Sequence, residues 1–248
     1  MRVAAIYDIH GNLPALEAVL DDLRREEVDH VVVGGDVLPG PMPRETLARL
    51  RELEIPVQFI QGNGDRAVLE ERAGKESDTV PEQFRAMMRW VAQQLDSEHE
   101  RWIAGWPLTL RREIRGLGDV LFCHATPRND TEIFTRLTAE DRVLPAFAGV
   151  NSRVVICGHT HMQFDRMIGG IRVVNAGSVG MPYGEPGACW LLLGPDVELR
   201  HTRYDLHGAA DRIRRTAYPQ AQEFAAQDVL HPRSEQEILD LCSKAELR

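Results

Sequence analysis

Short apolar runs that end in polar side chains recur along this chain, and they constrain its fold more than any other feature. The first three are "RVAAIY" (2–7), "HVVVGGD" (30–36) and "VQFIQGNGD" (57–65). Each has the length and the branched aliphatic content of a strand. Helical apolar spacing separates them, as at Leu16, Val19, Leu20 and Leu23. Alternation of strand and helix predicts successive βαβ units and a largely parallel sheet.

The second half of the chain has a different pattern. "LTLRREI" and "DVLFCH" flank the turn-like "RGLG" (115–118), and "FDRMI" and "IRVVNAGS" flank Gly169-Gly170, so two hairpins are expected. "VVICGHTH" is a buried strand, and "ACWLLLG" and "VELRHTRY" continue as strands. Helices follow from His207 onward. We therefore predict an α/β protein, a four-layer α/β/β/α sandwich of two mixed sheets flanked by helices.

Capping residues predict where several helices begin. An N-cap side chain accepts a hydrogen bond from the first turn, and Ser/Thr with an acidic residue three positions later forms a capping box. The predicted starts are Asn12 for the first helix, Thr138 with Asp141 for a short helix, and Ser234 with Glu237 for the last.

Composition limits the classes of protein to consider. The chain has 248 residues, 43% of them hydrophobic, and a formal net charge of −9. This acidity argues against membrane binding and non-specific nucleic-acid binding, which depend on basic surface. Its four cysteines, listed as Cys123, Cys157, Cys189 and Cys242, show no CxxC spacing, so reduced thiols are expected. The sequence shows neither a signal peptide nor a membrane-length apolar run, so a cytoplasmic location is expected.

Residues able to bind metals follow the predicted strands. They are Asp8 and His10, then Asp36, then Asn63 and Asp65, then His124, and finally His159 with His161. Intervals of about one βαβ unit separate Asp8, Asp36 and Asn63, so these side chains return to the same sheet edge. Open α/β sheets bind ligands at that edge. The placement predicts a metal site there.

The ordered motifs resemble those of the calcineurin-like metallophosphoesterase superfamily, in particular its small bacterial phosphodiesterase-type members. The family pattern is D-x-H, G-D, G-N-H-[DE], H and G-H-x-H. Here it reads "DIH" (8–10), "GGD" (34–36), "GNGD" (62–65), "CH" (123–124) and "GHTH" (158–161), and "NAGS" (175–178) resembles a family turn. The resemblance implies a metallophosphoesterase domain over 1–206 with a helical insertion at about 66–106. Residues 207–248 would be a helical extension that covers a sheet face or a partner subunit, which leaves a homo-oligomer open.

The resemblance also implies a role for each site residue. Asp8, His10, Asp36 and His161 would hold one ion, and Asp36, Asn63, His124 and His159 a second, around a bridging hydroxide. The implied catalytic residues are Asp36, Asn63 and His124. Asn12, Gly177 and Ser178 are candidates for phosphate contact, although Asn12 also serves as a helix cap, and Asp65 would orient a ligand. Imidazole with carboxylate suits borderline divalent ions. The resemblance implies two of them, with manganese expected first and Fe, Ni, Co or Zn as alternatives.

The function that this resemblance implies is metal-dependent hydrolysis of small phosphodiesters or nucleotides. A phosphomonoesterase, a protein phosphatase and a non-catalytic interaction module of the same fold are the alternatives. One position departs from the pattern, because Gly64 stands where the family has a histidine that assists leaving-group protonation. Its absence predicts a preference for aryl diesters over alkyl monoesters. A positive φ is one explanation for a glycine at this position.

Overall fold

The computed structural model describes residues 1–75 and 80–247. Within these ranges the chain forms ten strands and nine α-helices. In chain order they are β1 (Val3–Ile6), α1 (Leu13–Arg25), β2 (His30–Val33), α2 (Pro43–Arg51), β3 (Val57–Phe59), α3 (Asn63–Arg72), α4 (Glu82–Gln94), α5 (Ser97–Ala104), β4 (Thr109–Ile114), β5 (Gly118–Cys123), α6 (Glu140–Val143), β6 (Val154–Cys157), β7 (Phe164–Ile168), β8 (Ile171–Asn175), β9 (Ala188–Leu193), β10 (Val197–Thr202), α7 (Leu206–Arg214), α8 (Ala221–Phe224) and α9 (Glu235–Cys242).

The strands form two five-stranded mixed sheets. The first has the order β10-β9-β1-β2-β3, and the second has the order β4-β5-β6-β8-β7. β1, β2 and β3 run parallel, while β9 is antiparallel to both β1 and β10. In the second sheet β5, β6 and β8 run parallel, with antiparallel strands at both edges. Each sheet thus has a parallel centre whose strand ends can share one site.

Alternate residues of the central strands divide the apolar core into layers. In β1, Val3 and Ala5 pack between the two sheets, whereas Ala4 and Ile6 face the helices. The layer of helices over the first sheet is thick. Among the described residues, the outer face of the second sheet is covered by α6, a 3-10 turn at Leu144–Phe147, neighbouring loops and Leu247 near the C-terminus. The predicted α/β/β/α sandwich is confirmed, with one thin outer layer.

Three helix starts test the capping predictions. The Asn12 side chain accepts a hydrogen bond from Ala15 N at the start of α1, and the capping box of Ser234 begins α9, both as predicted. The prediction for Thr138 is wrong: Ala139 is the N-cap of α6. The Thr138 hydroxyl instead donates to Glu246 and accepts from Thr135 N. A hydroxyl with partners in distant segments is not available for a local cap.

The predicted helical insertion and the first part of the predicted tail pack in the helical layer over the first sheet. Met87, Met88 and Val91 of α4 and Ala209 and Ile213 of α7 belong to the same apolar cluster. Residues 76–79 of the insertion and residue 248 of the tail lie outside the described residues. Among the described residues, no helix combines the length and apolar character that crossing a membrane requires.

Candidate metal centre

The predicted ligands come together at one rim, where the parallel strands of both sheets end. Asp8 and Asp36 follow β1 and β2, and Asn63 begins α3 beyond β3. From the other sheet, His124 follows β5, and His159 and His161 follow β6. Two carboxylate–imidazole groups have all their ligand atoms within 4.8 Å of one another; they are Asp8, His10, His161 and Asp8, Asp36, His124.

The backbone at the rim is unusual in its conformation. Five of the predicted ligands have a positive φ, namely Asp8 at 54°, His10 at 48°, Asp36 at 49°, His159 at 67° and His161 at 58°. Such angles are uncommon outside glycine, and each costs of order 1–3 kcal/mol. Strained backbone of this kind concentrates at functional sites, where the surrounding structure maintains it.

Each of the four histidines uses one ring nitrogen to bind a backbone carbonyl. The pairs are His10 Nδ1 with Pro39 O at 3.2 Å, His124 Nδ1 with Gly34 O at 3.0 Å, His161 Nδ1 with Met181 O at 2.9 Å, and His159 Nε2 with Thr131 O at 3.2 Å. A carbonyl only accepts, so the bonded nitrogen must carry the proton. In a neutral ring the other nitrogen then presents a lone pair. This is the arrangement that orients metal-ligating histidines.

Both carboxylates divide their oxygens in the same way. Asp8 Oδ2 accepts from His159 N at 2.9 Å, and Asp36 Oδ1 accepts from Gly64 N at 2.7 Å. Asp8 Oδ1 is buried and has no hydrogen-bonding partner. Asp36 Oδ2 lies 3.8 Å from His10 Nε2 and 3.6 Å from His124 Nε2. Each carboxylate therefore presents one free oxygen, and that of Asp36 lies between two histidines.

The Asn63 amide completes the inner surface. Its Oδ1 lies 3.0 Å from His124 Nε2. In the opposite amide orientation, the NH2 group would donate to His124 Nε2 at 3.0 Å and to His159 Nδ1 at 2.9 Å. With neutral histidines, the first orientation presents an oxygen to two nitrogen lone pairs, which is favourable only when a proton on His124 or a cation lies between them. The second satisfies both histidines without one.

These contacts fit divalent cations. His10 Nε2 and His161 Nε2 lie 3.1 Å apart, so in neutral rings their two lone pairs would face one another. Asp8 Oδ1 lies 3.4 Å from His161 Nε2 and still lacks a hydrogen bond. Buried lone pairs that face one another repel unless a proton or a cation lies between them. A cation would satisfy all of them together, and nitrogen with carboxylate oxygen is the donor set that borderline divalent metals prefer.

The electrostatics of the rim show which groups hold protons when no metal does. Burial lowers the pKa of His124, but Asp36 and Asp8 outweigh it and raise the pKa to about 10. His161 is raised in the same way, mainly by Asp8. Burial and His124 lower the pKa of His159 to about 4. Without a metal, a proton on His124 therefore offsets part of the carboxylate charge, and the raised pKa of His161 favours a second proton there; ligation of a metal would displace such protons.

Asp65 supports the rim from below. It is fully buried, and its carboxylate accepts from Leu38 N and Gly62 N, each at 3.0 Å. Burial and the nearby Asp36 raise its pKa to about 8. The side chain thereby fixes the two backbone segments that flank Asp36 and Asn63. Its predicted role in orienting the ligands stays a prediction.

The predicted phosphate-contact residues are already engaged in internal contacts. Asn12 is fully buried, and its Nδ2 donates to Gly180 O at 2.8 Å. The Ser178 hydroxyl donates to Asp8 O at 2.7 Å and accepts from Met181 N. Gly177 lies in a turn with a φ of 73°. These residues hold the backbone of Asp8 and the 176–181 loop in place, and their contact with phosphate stays a prediction.

The structure gives a steric reason for Gly64, and the suggested positive φ is wrong, because this glycine is absent from the positive-φ residues. It lies in the first turn of α3, where a Cβ atom would stand 2.6 Å from Leu38 O and 2.9 Å from Pro39 Cδ. The Leu38–Pro39 segment thus takes the space of any side chain at this position.

Two further residues beside the rim, Arg66 and Tyr183, lie outside the motifs. Arg66, in the same helix α3 as Asn63, binds Asp130 through two hydrogen bonds of 2.8 and 3.0 Å. On the other side, Tyr183 stacks on the His161 ring with centroids 5.6 Å apart. An isolated arginine or tyrosine outside the motifs carries no sequence signal for such a position.

Two sheets with parallel centres, and a histidine–carboxylate cluster where those strands end, define a class of protein. The chain belongs to the calcineurin-like phosphoesterase superfamily, whose model, described as the calcineurin-like phosphoesterase superfamily domain, matches residues 1–194. The resemblance inferred from the motifs is confirmed.

Individual relatives agree with this assignment. The chain is 27% identical to phosphodiesterase YfcE of Escherichia coli strain K12 over 206 residues, which cover 79% of this chain and 89% of the relative. A metallophosphoesterase from Sphaerobacter thermophilus has a TM-score of 0.69 at 27% identity, covering 91% and 98% of the two chains. Protein PH1004 from Pyrococcus horikoshii OT3 shares the fold, with a TM-score of 0.77 at 21% identity, covering 94% and 99%.

Proposed function

We propose that this protein is a metal-dependent phosphodiesterase that acts on small or nucleotide-type phosphodiesters at a dinuclear centre. One observation carries the proposal: four histidines and two carboxylates each use one polar atom to bind the backbone and present the other to a common space. The two ligand groups have Asp8 in common, and Asp36 Oδ2 lies 3.8 Å from His10 Nε2 and 3.6 Å from His124 Nε2. This concentration of ligand atoms supports two ions, and the family motif leads us to propose Asp36 as the carboxylate that they share.

When bound, two divalent ions would polarise the phosphoryl oxygens and lower the pKa of an attacking water. The protein residues fix the charge of this site. With neutral histidines the ligand set carries two negative charges, from Asp8 and Asp36, so two divalent ions leave a net positive site. Such a site favours a phosphate anion. The carbonyls of Gly34, Pro39 and Met181 hold the imidazole rings in the orientation that this requires.

Preference for diesters is supported by the crowding at Gly64. An alkoxide leaving group needs a proton donor, and general acid catalysis contributes about 10²–10⁴-fold. Backbone at Leu38 fills the space that a side chain would need at position 64. An aryl diester depends less on protonation and carries less negative charge, so its hydrolysis should suffer least.

The first experiment measures metal content and substrate class together. The purified chain is stripped with a chelator, reloaded with Mn²⁺ and analysed by elemental mass spectrometry. We expect two ions per chain and hydrolysis of bis(p-nitrophenyl) phosphate faster than that of glycerol phosphate. Faster turnover of the alkyl monoester would favour a phosphomonoesterase. Bound metal with hydrolysis of neither substrate would favour a non-catalytic module.

The Asp36→Asn variant tests the shared carboxylate. It replaces the free oxygen between His10 and His124 by a weaker, neutral donor, so both ions should be lost and turnover should fall by at least about 10²-fold. Asp141→Asn is the matched control, because Asp141 is exposed in α6, away from the rim. Retention of two ions in Asp36→Asn would contradict the proposed bridge.

A further inference from the structure

A cavity of about 320 Å³ opens beside the candidate metal centre. His10 of the rim forms part of its wall, together with Pro39 and Met181. The cavity therefore adjoins the site at which a phosphoryl group would bind. Its volume is at the lower end for small-molecule sites, which suits a single ring system.

Apart from Tyr183, the remaining walls come from the two helical segments outside the motif-bearing strands. Phe84 and Met87 belong to α4, and the range from Tyr218 to Arg233 belongs to the C-terminal tail. This tail includes α8 and a π-helical turn at Ala225–Leu230. Residues that are not predicted metal ligands thus enclose the space next to the metal centre.

Aromatic side chains give this cavity its character. Phe84, Tyr183, Tyr218 and Phe224 all line it. Tyr218 is fixed by edge-on contacts with Trp90 at 5.5 Å and with Phe224 at 6.1 Å. Tyr183 lies between the cavity and the rim, parallel to the His161 ring within 22°. Rigid aromatic walls of this kind favour flat, apolar groups that can stack.

The polar side chains of the cavity add hydrogen-bond acceptors and negative charge. Gln220, Glu223, Gln227 and Asp228 line it, and in the described part of the chain none of these side chains has a hydrogen-bonding partner. Among the described lining residues, Arg233 is the one cation; it is accompanied by Glu223 and by Asp228, whose pKa burial raises to about 7. The lining therefore has no excess of positive charge that would favour a second phosphate, while its carboxylate and amide oxygens accept hydrogen bonds from ring N–H groups.

We propose that this cavity binds the organic group of the phosphoester, and that this group is an uncharged aromatic or heteroaromatic ring with N–H donors, such as a nucleobase. The inference rests on the proposed function for the position of the phosphoryl group. The proposed substrates are therefore esters of nucleoside monophosphates, and nucleotides with additional phosphates are not expected to bind better.

The first test needs neither metal nor hydrolysis. Thymidine and deoxyribose are compared by saturation-transfer NMR on the chelated full-length protein. We expect a signal from the thymine ring and none from deoxyribose. Phe84→Ala and Gln227→Ala should weaken the thymidine signal, because both side chains line the cavity and are solvent-exposed. Leu199→Ala is the matched control, since Leu199 is 43% exposed on β10 and lies outside the cavity lining.

The second test uses inhibition of aryl-diester hydrolysis by the Mn²⁺-loaded protein. Thymidine 5′-monophosphate should inhibit at least tenfold more tightly than methyl phosphate, and Phe84→Ala should remove about tenfold of that preference, the typical effect of one base–aromatic contact. Thymidine 5′-diphosphate should not bind more tightly than the monophosphate in the wild type, and Glu223→Gln should improve its binding.

Each outcome has a distinct meaning. Equal inhibition by methyl phosphate and thymidine 5′-monophosphate, or absence of thymidine binding, overturns the cavity assignment while leaving hydrolysis intact. Tighter binding of the diphosphate in the wild type overturns the inference about charge. Binding of thymidine by a protein that hydrolyses no phosphoester overturns the proposed function and leaves the ring site standing.

Discussion

Single residues at the rim are set up to exchange protons for metal ions. In the metal-free protein His124 has a pKa of about 10, above the ordinary 6.5, and that of His161 is also raised. The stabilisation from His124 is therefore fully present below pH 6.5 and is lost as the pH rises toward 10. Ligation requires the neutral ring, so a metal that binds within this window must release protons.

Because protons leave when a metal binds, the measured enthalpy of metal binding should depend on the buffer. At pH 8 we expect release of at least one proton per chain, seen as a dependence of the calorimetric enthalpy of Mn²⁺ binding on the ionisation enthalpy of the buffer. Without metal, the stability difference between wild type and His124→Gln should shrink between pH 6.5 and 10. An enthalpy that is the same in every buffer would contradict the assigned proton on His124.

The crowding at Gly64 predicts an effect on stability. Gly64→Ala places a Cβ atom 2.6 Å from a backbone oxygen, which cannot move away cheaply. We expect a loss of about 1–3 kcal/mol in the free energy of unfolding, measured in urea. Gly105→Ala is the control, because its nearest contact would be an ordinary 3.4 Å, and it should change stability by less than about 1 kcal/mol. Equal effects at both positions would contradict the steric explanation.

Most of the predicted ligands could be identified from the sequence, because each follows an apolar run of strand length. The register of Asp8 and Asp36 after β1 and β2 follows from apolar runs of fixed length. The orienting carbonyls could not be predicted, since every residue has a carbonyl and only folding selects Gly34, Pro39 and Met181. The need for glycine at position 64 could not be predicted either, because it arises from steric contact with the Leu38–Pro39 segment and not from the local backbone conformation.

Among the elements, α9 forms its own small contact with the rim side of the second sheet. Ile238 and Leu239 pack on Met162, the neighbour of His161, with Tyr183 and Cys242 at the edge of this cluster. The last helix therefore supports the loop that carries a predicted ligand.

Two leucines of α9 test this contact. Leu239 is 4% exposed and Leu241 is 48% exposed, on one helix and with the same side chain. Leu239→Ala should lower the free energy of unfolding by about 2–5 kcal/mol, and Leu241→Ala by less than about 1 kcal/mol. Chemical denaturation of both variants measures the difference. Similar losses would show that α9 packs differently.

Elements with regular patterns could be predicted from the sequence, and those whose partners are distant could not. The hairpins around 115–118 and 169–170 follow from local turn residues. The Thr138 box failed because Glu246, at the far end of the chain, binds its hydroxyl. The cavity between α4 and the tail could not be predicted either, since its walls come from segments that are far apart in sequence.

At the scale of the whole molecule, the two sheets contribute to one site. Asp8, Asp36 and Asn63 come from one, and His124, His159 and His161 from the other. Between the sheets, the buried Tyr7 hydroxyl donates to Ile156 O at 3.2 Å. The site therefore exists only while the sheets remain packed, so metal binding should stabilise the entire fold.

Thermal unfolding measures that coupling. At 100 times the dissociation constant, a ligand bound only by the native state adds about 2.7 kcal/mol. For a chain of this size, Mn²⁺ should therefore raise the Tm by about 5–10 °C. Asp36→Asn should abolish most of the rise. An unchanged Tm of the wild type at saturating Mn²⁺ would contradict the coupling.

The 3.1 Å approach of His10 and His161 joins positions that are 151 residues apart in sequence. An ion held by both would act as a reversible crosslink. A covalent crosslink that closes a loop of about 100 residues restricts the unfolded chain enough to stabilise the native state by about 4.7 kcal/mol in the chain-entropy model. Here the tie would form or open with the supply of the ion, so the resistance of the chain to unfolding and to proteolysis would follow the metal status of its surroundings.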